Sequence, residues 1–118
     1  MINFDTQNNF RYMGMEIPIH TQESLENYLI HGWAPGGFVE SMIARDYHRA
    51  LYCADTANRQ TFWAVAMYIN ECMPVQSVGS YEAIKMWCDD LGSCRSYFVK
   101  ETEQKRMWDI LKSTESTT

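Results

Sequence analysis

The chain reads as an all-α (mainly α) protein: one small domain in which four to five helices bundle behind an irregular N-terminal arm. Three observations predict this. Apolar residues recur at three- and four-residue steps along most of the chain, which places them on one face of a helix. Asp55 and Ser80 stand where a helix N-cap is needed, and Gly32, Pro74 and Gly92 stand where helices end. The length, 118 residues with 46% hydrophobic side chains, suits one domain that buries about 65% of its unfolded surface.

Residues 1–18 mix polar and aromatic side chains, with Gly14 and Pro18 as interruptions and room for a short strand around Phe10–Met13. From Thr21 to His31 the pattern is helical, with Leu25, Tyr28 and Leu29 facing inward, and Gly32 supplies the left-handed residue that closes a helix. Pro35 pre-sets a helical φ for the next start. Phe38, Val39, Met42, Ile43, Tyr47, Ala50, Leu51 and Ala54 then form a stripe that is either one long helix or two with a break near Asp46. Asp55 caps a helix over Thr56–Met73 with Phe62, Val65, Ala66, Ile69 and Met73 inward, and Pro74 ends it.

Val75–Gly79 is a loop. Ser80 caps a helix carrying Tyr81, Ile84, Trp87, Cys88 and Leu91 inward, which Gly92 stops. Ser93–Val99 is ambiguous, and its residues Ser96–Val99 can form a short strand. A last helix is expected over Glu101–Lys112, with Met107, Trp108 and Leu111 inward, before a frayed polar tail from Ser113 to Thr118. No linker or repeat divides residues 1–118.

Composition excludes several functions. Four Trp, seven Tyr, five Phe and eight Met are too many for a disordered chain. The net charge of −5 argues against direct nucleic-acid binding, which needs a basic face to displace counterions. The carboxylates are scattered, with Asp89-Asp90 the longest run, so they fit solvated helix faces better than a nucleic-acid mimic. No apolar run approaches the roughly 20 residues of a membrane span, and Met1–Phe10 is too polar for a secretory signal. Cys53, Cys72, Cys88 and Cys94 lack zinc-knuckle spacing, and His20, His31 and His48 are dispersed. Free thiols in a reducing cytosol, with no metal and no cofactor, are the expectation.

Tyr28-Leu29-Ile30-His31-Gly32, Pro35-Gly36-Gly37-Phe38-Val39, Ala54-Asp55 with Asn58, Tyr68-Ile69, Pro74, and Gly79-Ser80 ahead of Trp87 form a spaced set over roughly residues 25–90. The set resembles a group of small bacteriophage and prophage accessory proteins, in which a helix-Gly-x-x-Pro-Gly-x-Phe turn precedes an Ala-Asp-x-x-Asn step. The resemblance implies a helical fold and a phage origin. It carries over no catalytic residue, because its punctuating residues all have structural jobs.

Several constellations have chemistry to offer. Pro35-Gly36-Gly37 lets a ligand approach backbone N–H groups at a helix start, as an anion would; a tight turn between helices explains the same residues. Arg45, His48 and Arg49, with Arg59 beyond the next cap, can form a basic face for an anionic nucleotide or a partner's carboxylate. A solvated face, with Arg49 pairing Asp46, is the plainer account. Cys53 lies five residues from His48, off the ideal helical face, and lacks an orienting group, so a small core residue explains it better than a nucleophile. Trp33, Trp63 and Met67 fall off the inward stripes and are candidates for an exposed apolar patch, the mark of an interface.

Taken with the phage origin that the resemblance implies, these features lead to the expectation of a non-enzymatic phage protein that binds and inhibits or diverts a host protein, such as a CRISPR effector of a defence pathway. Self-association as a symmetric homodimer is expected beside it. The alternatives are a binder that sequesters a nucleotide immune signal with the Pro35-Gly36-Gly37 turn and the face of Arg45, His48 and Arg49, and a small enzyme.

Overall fold

The computed structural model describes residues 10–103. A two-residue hairpin, β1 (Arg11–Tyr12) and β2 (Met15–Glu16), precedes α1 (Ile19–His31), α2 (Gly37–Ile43), α3 (Tyr47–Cys53), α4 (Thr56–Gln60), α5 (Phe62–Cys72) and α6 (Tyr81–Cys88). Single 3-10 turns lie at Val75–Ser77 and Leu91–Ser93. A further helix, α7, covers 94–103 and reaches the last described residue. The protein is mainly helical, as expected, with more and shorter helices than four to five.

The strand expected around Phe10–Met13 exists as β1, paired antiparallel with β2 in the register Arg11 to Glu16 and Tyr12 to Met15. Met13 and Gly14 both have positive φ, the requirement of the two-residue turn that matches strand twist. The hairpin is pinned to the helices: the Phe10 N–H donates to Gln22 Oε1 at 2.6 Å, and the Phe10 ring meets Tyr68 edge-on at 5.4 Å.

One cluster of buried apolar side chains joins α1, α2, α5 and α6, with Leu25, Tyr28, Leu29, Met42, Ile43, Val65, Tyr68, Ile84 and Trp87 at its heart. The C-terminal turn of α1 is its most heavily bonded point. The Tyr28 hydroxyl donates to the Ser77 carbonyl at 2.8 Å, and the Trp87 indole N–H donates to the Tyr28 carbonyl at 3.1 Å. Burial raises the Tyr28 pKa above the usual phenol range, so it stays a neutral donor at any ordinary pH.

Arg95, at the start of α7, closes two helices at once. It donates from Nε to the Trp87 carbonyl at 3.1 Å, from Nη2 to that of Cys88 at 3.3 Å, and from Nη1 to that of Ile30 at 3.5 Å. The carbonyls of Ile30 and Cys88 are ones that a helix end leaves open, and that of Trp87 accepts the Asp90 N–H as well. Gly32 is required here twice over. Its φ is +69, and a Cβ would sit 2.6 Å from Arg95 Nε.

The stripe over residues 38–54 is two helices rather than one. Arg45 takes a left-handed φ of 62 after α2, and Asp46 then caps α3 by accepting the Arg49 N–H. The expected single helix over Thr56–Met73 is also divided. Thr61 bonds its hydroxyl back to the Ala57 carbonyl at 2.8 Å and bends the chain between α4 and α5, a known effect of threonine on helices. The caps Asp55 and Ser80 are confirmed, accepting the N–H groups of Asn58 at 2.8 Å and Ala83 at 3.0 Å.

Further expectations need correction, among them the inward placing of Tyr47 and Tyr81, both of which are exposed. Leu51 faces solvent, because α3 is a separate short helix whose one buried residue is Ala50. Leu91 is exposed as well, since α6 ends at Cys88 and the chain turns left-handed at Asp90, ahead of Gly92. Ser96–Val99 is helical, not a strand: the Asp90 carboxylate accepts the Ser96 N–H at 3.1 Å, and Phe98 packs edge-on against Trp87. The last helix therefore begins before Glu101. Met107, Trp108 and Leu111 lie outside the described residues.

Two substitutions test this arrangement. Arg95→Met keeps an apolar stem but removes every donor to the three carbonyls; a loss of about 1–3 kcal/mol is expected, read from urea midpoints. Arg45→Gly relieves a left-handed side-chain residue and is expected to add about 1 kcal/mol. An unchanged midpoint for either contradicts the role given to it.

Candidate functional site

The sequence places its candidates at three locations, and the structure keeps them largely apart. Trp33 lies after α1, 60% exposed, its ring stacked on His31 with centroids 4.8 Å apart. Trp63, the second residue of α5, is 68% exposed, and Met67, one turn on, is half-buried. Arg59 is exposed on α4, which buries no residue.

The proposed basic face does not form as a unit. Arg45 precedes α3 in its left-handed turn, and His48 is exposed on α3. Arg49 instead turns toward α2 and α6. Its Nη1 donates to Glu40 Oε1 at 2.9 Å and to the Tyr81 hydroxyl at 3.0 Å. The Tyr81 hydroxyl in turn donates to Asp46 Oδ2 at 2.7 Å. Asp46 thus serves the Arg49 backbone and Tyr81, while Glu40 takes the guanidinium. Sequence spacing had suggested Asp46 as the partner of that charge; Glu40 and Tyr81 were missed because they come from other helices. The hydrogen bonds from Tyr81 and from the Arg49 N–H hold the Asp46 carboxyl below the usual carboxylate range.

Gly37 and Arg49 do meet. A Cβ on Gly37 would lie 3.8 Å from Arg49 Nη2 and 3.5 Å from Cys53 Sγ, whereas Gly36 faces open space. The turn therefore approaches a cation, but one already neutralised by Glu40. Cys53 is exposed rather than a core residue, and Cys72, Cys88 and Cys94 are half-buried, with burial raising the pKa of Cys72 and Cys88. Among the described residues, no group of three or more His, Cys, Asp or Glu is placed to hold a metal ion. No helix among them is long and apolar enough to cross a membrane.

The surface that sequence reading missed is the outer side of α3. Tyr47 is 46%, Leu51 50% and Tyr52 85% exposed. Tyr47 and Leu51 are one turn apart and share a side, and the Tyr47 ring leans on Phe62 at 6.1 Å. His48 and Tyr52, also one turn apart, lie next to them on the same short helix. Aromatic residues beside arginine and histidine make a surface of the composition found at the centres of protein interfaces. The signal for it was the left-handed residue before Asp46, which resets the helical phase and which periodicity alone does not reveal.

The network on Asp46 has a defined acid dependence. A carboxyl whose folded pKa lies below its unfolded value stabilises the fold above the unfolded pKa, and that contribution is lost as pH falls through the folded value. It is full at neutral pH and fades below about pH 3.9. In an NMR titration Asp46 is expected to show a midpoint below about 3.9, and Tyr81→Phe to move it upward. An unmoved midpoint in Tyr81→Phe contradicts the hydrogen bond.

Compared with known protein families, curated proteins and solved structures, the chain matches none.

Proposed function

We propose that this chain is a non-enzymatic phage accessory protein that engages a host protein and inhibits or diverts it, in the manner of an anti-defence inhibitor. The observation that carries the reading is α3, a helix that buries Ala50 and turns Tyr47, Leu51 and Tyr52 to water, with Arg45 and His48 beside them. Leaving such side chains exposed forgoes about 25 cal/mol for each Å² of apolar surface, a cost that a bound partner recovers. Tyrosine and arginine are also the side chains that contribute most when an interface closes over them. Arg45 keeps an unfavourable backbone conformation at the edge of this surface, where a glycine would be more stable. The phage origin, and defence as the setting, rest on the resemblance of residues 25–90 to small phage proteins.

A second reading, a binder of a nucleotide signal, is favoured by the meeting of Gly37 with Arg49. The salt bridge from Arg49 to Glu40 weakens it, because an incoming phosphate must displace a carboxylate already 2.9 Å from the guanidinium.

Immobilised protein exposed to bacterial lysate tests the first reading, with Leu51→Asp and Tyr52→Ala compared with the wild type and folding checked by circular dichroism. A host protein held by the wild type and reduced about tenfold or more by either substitution is the expected result. Equal capture by all three proteins contradicts α3 as the binding surface. Nucleotide binding that is abolished by Arg49→Gln, without such capture, favours the second reading.

A further inference from the structure

The turn from α2 into α3 is closed by the pair of bonds that ends a helix on a left-handed residue. The Arg45 N–H donates to the Met42 carbonyl at 3.1 Å, and the Asp46 N–H donates to the Ser41 carbonyl at 2.8 Å. Arg45 itself has a φ of 62. Glycine is the usual occupant of that position, because a Cβ there crowds the following carbonyl oxygen. Asp90, left-handed as well, offsets the crowding with its side chain, whose carboxylate accepts the Ser96 N–H at 3.1 Å. Arg45 obtains nothing comparable. It is exposed, and among the described residues its guanidinium has no hydrogen bond and no ion pair.

The charge on Arg45 is not answered from nearby in the chain. Asp46 accepts the Arg49 N–H and the Tyr81 hydroxyl, and Glu40 holds the Arg49 guanidinium at 2.9 Å. Arg45 thus stands as an unpaired cation two residues before Tyr47, at the edge of a surface whose other large members, Tyr47, Leu51 and Tyr52, are aromatic or aliphatic. When a partner closes over that surface the guanidinium loses water. A charge that loses water without gaining an anion opposes binding. The partner that fits therefore brings a carboxylate set among apolar side chains. A nucleic acid fits less well: the chain carries a net charge of −5, and one arginine among aromatic residues does not follow a phosphate backbone.

We propose that Arg45 is the residue by which the α3 surface selects its partner, and that the partner is a protein segment with a carboxylate beside aliphatic or aromatic side chains. The proposal rests on the reading of α3 as the binding surface and adds the partner's chemistry to it. Tyr47, Leu51 and Tyr52 supply contact area, whereas Arg45 supplies discrimination. It attracts an acidic segment, and a neutral or basic one leaves it buried and unpaired. Arginine holds a position that favours glycine because binding uses the side chain and the fold does not.

Selection of a random displayed peptide library on the immobilised full chain tests the proposal, because the enriched sequences report the chemistry that the surface prefers. Peptides that lose binding on Leu51→Asp are expected to carry Asp or Glu in excess beside aliphatic and aromatic residues. Arg45→Gln is expected to weaken them about fivefold or more, and Arg45→Lys less. Arg45→Gly is expected to weaken them to the same degree while raising the urea midpoint, a combination that a purely structural arginine would not give. Leu51-dependent peptides without acidic excess, or acidic ones that bind Arg45→Gln as tightly as the wild type, overturn the proposal and leave α3 as the binding surface. Enriched peptides that ignore Leu51→Asp, or no enrichment at all, contradict that surface and the proposal with it. A DNA oligonucleotide whose binding requires Arg45 assigns the cation to phosphate and also overturns the proposal.

Discussion

The last turn of α1 holds the structure together. Its Ile30 carbonyl lacks a partner within the helix and is reached by Arg95, and its Tyr28 carbonyl, which already takes the Gly32 N–H, accepts the Trp87 indole as well. The Tyr28 side chain reaches the other way, to Ser77. One turn of helix thereby ties the loop before α6, α6 itself and the start of α7 to α1. Gly32 makes this possible because no larger residue leaves room for the guanidinium. A buried aromatic pair with all its polar atoms satisfied contributes both area and direction, so it selects one arrangement of these helices among several that would bury similar surface.

α2 is held to this frame by the Gly79 N–H, which donates to the Ile43 carbonyl at 2.9 Å, and by its own apolar face. The middle of the chain is attached more lightly. α3 buries one alanine and leans its Tyr47 ring on Phe62, α4 buries nothing, and their remaining attachments are polar and peripheral: Arg49 to Glu40 and Tyr81, and the Thr21 hydroxyl to Asn58 Oδ1 at 2.6 Å. The same property that makes α3 a poor core element makes it a good binding element, because its large side chains are free to be covered by something else.

Much of this was legible in the sequence. Gly32, Asp55 and Ser80 act locally, through φ or through an N–H three residues away, so composition and position identify them. Trp63 and Met67 stood out because they fell between the positions of a strong stripe. Leu51 and Leu91 were misread for a common reason: each continues the phase of the helix before it, and a left-handed residue, Arg45 or Asp90, breaks that phase without a glycine to announce it. The bend at Thr61 was hidden because threonine is tolerated within helices and reveals its back-bond only in three dimensions. Arg95, Glu40 and Tyr81 were invisible as partners, since each acts on a residue far away in the chain.

The unequal attachment of the helices is what gives this protein a rigid frame and a surface to spare. Native-state hydrogen exchange on the dilute protein measures it directly. Amide protons of α1 and α6 are expected to be the slowest and to exchange together in one cooperative opening, while those of α3 and α4 exchange faster through local openings of lower free energy. Equal protection of α3 and α1 would contradict the division between frame and binding surface.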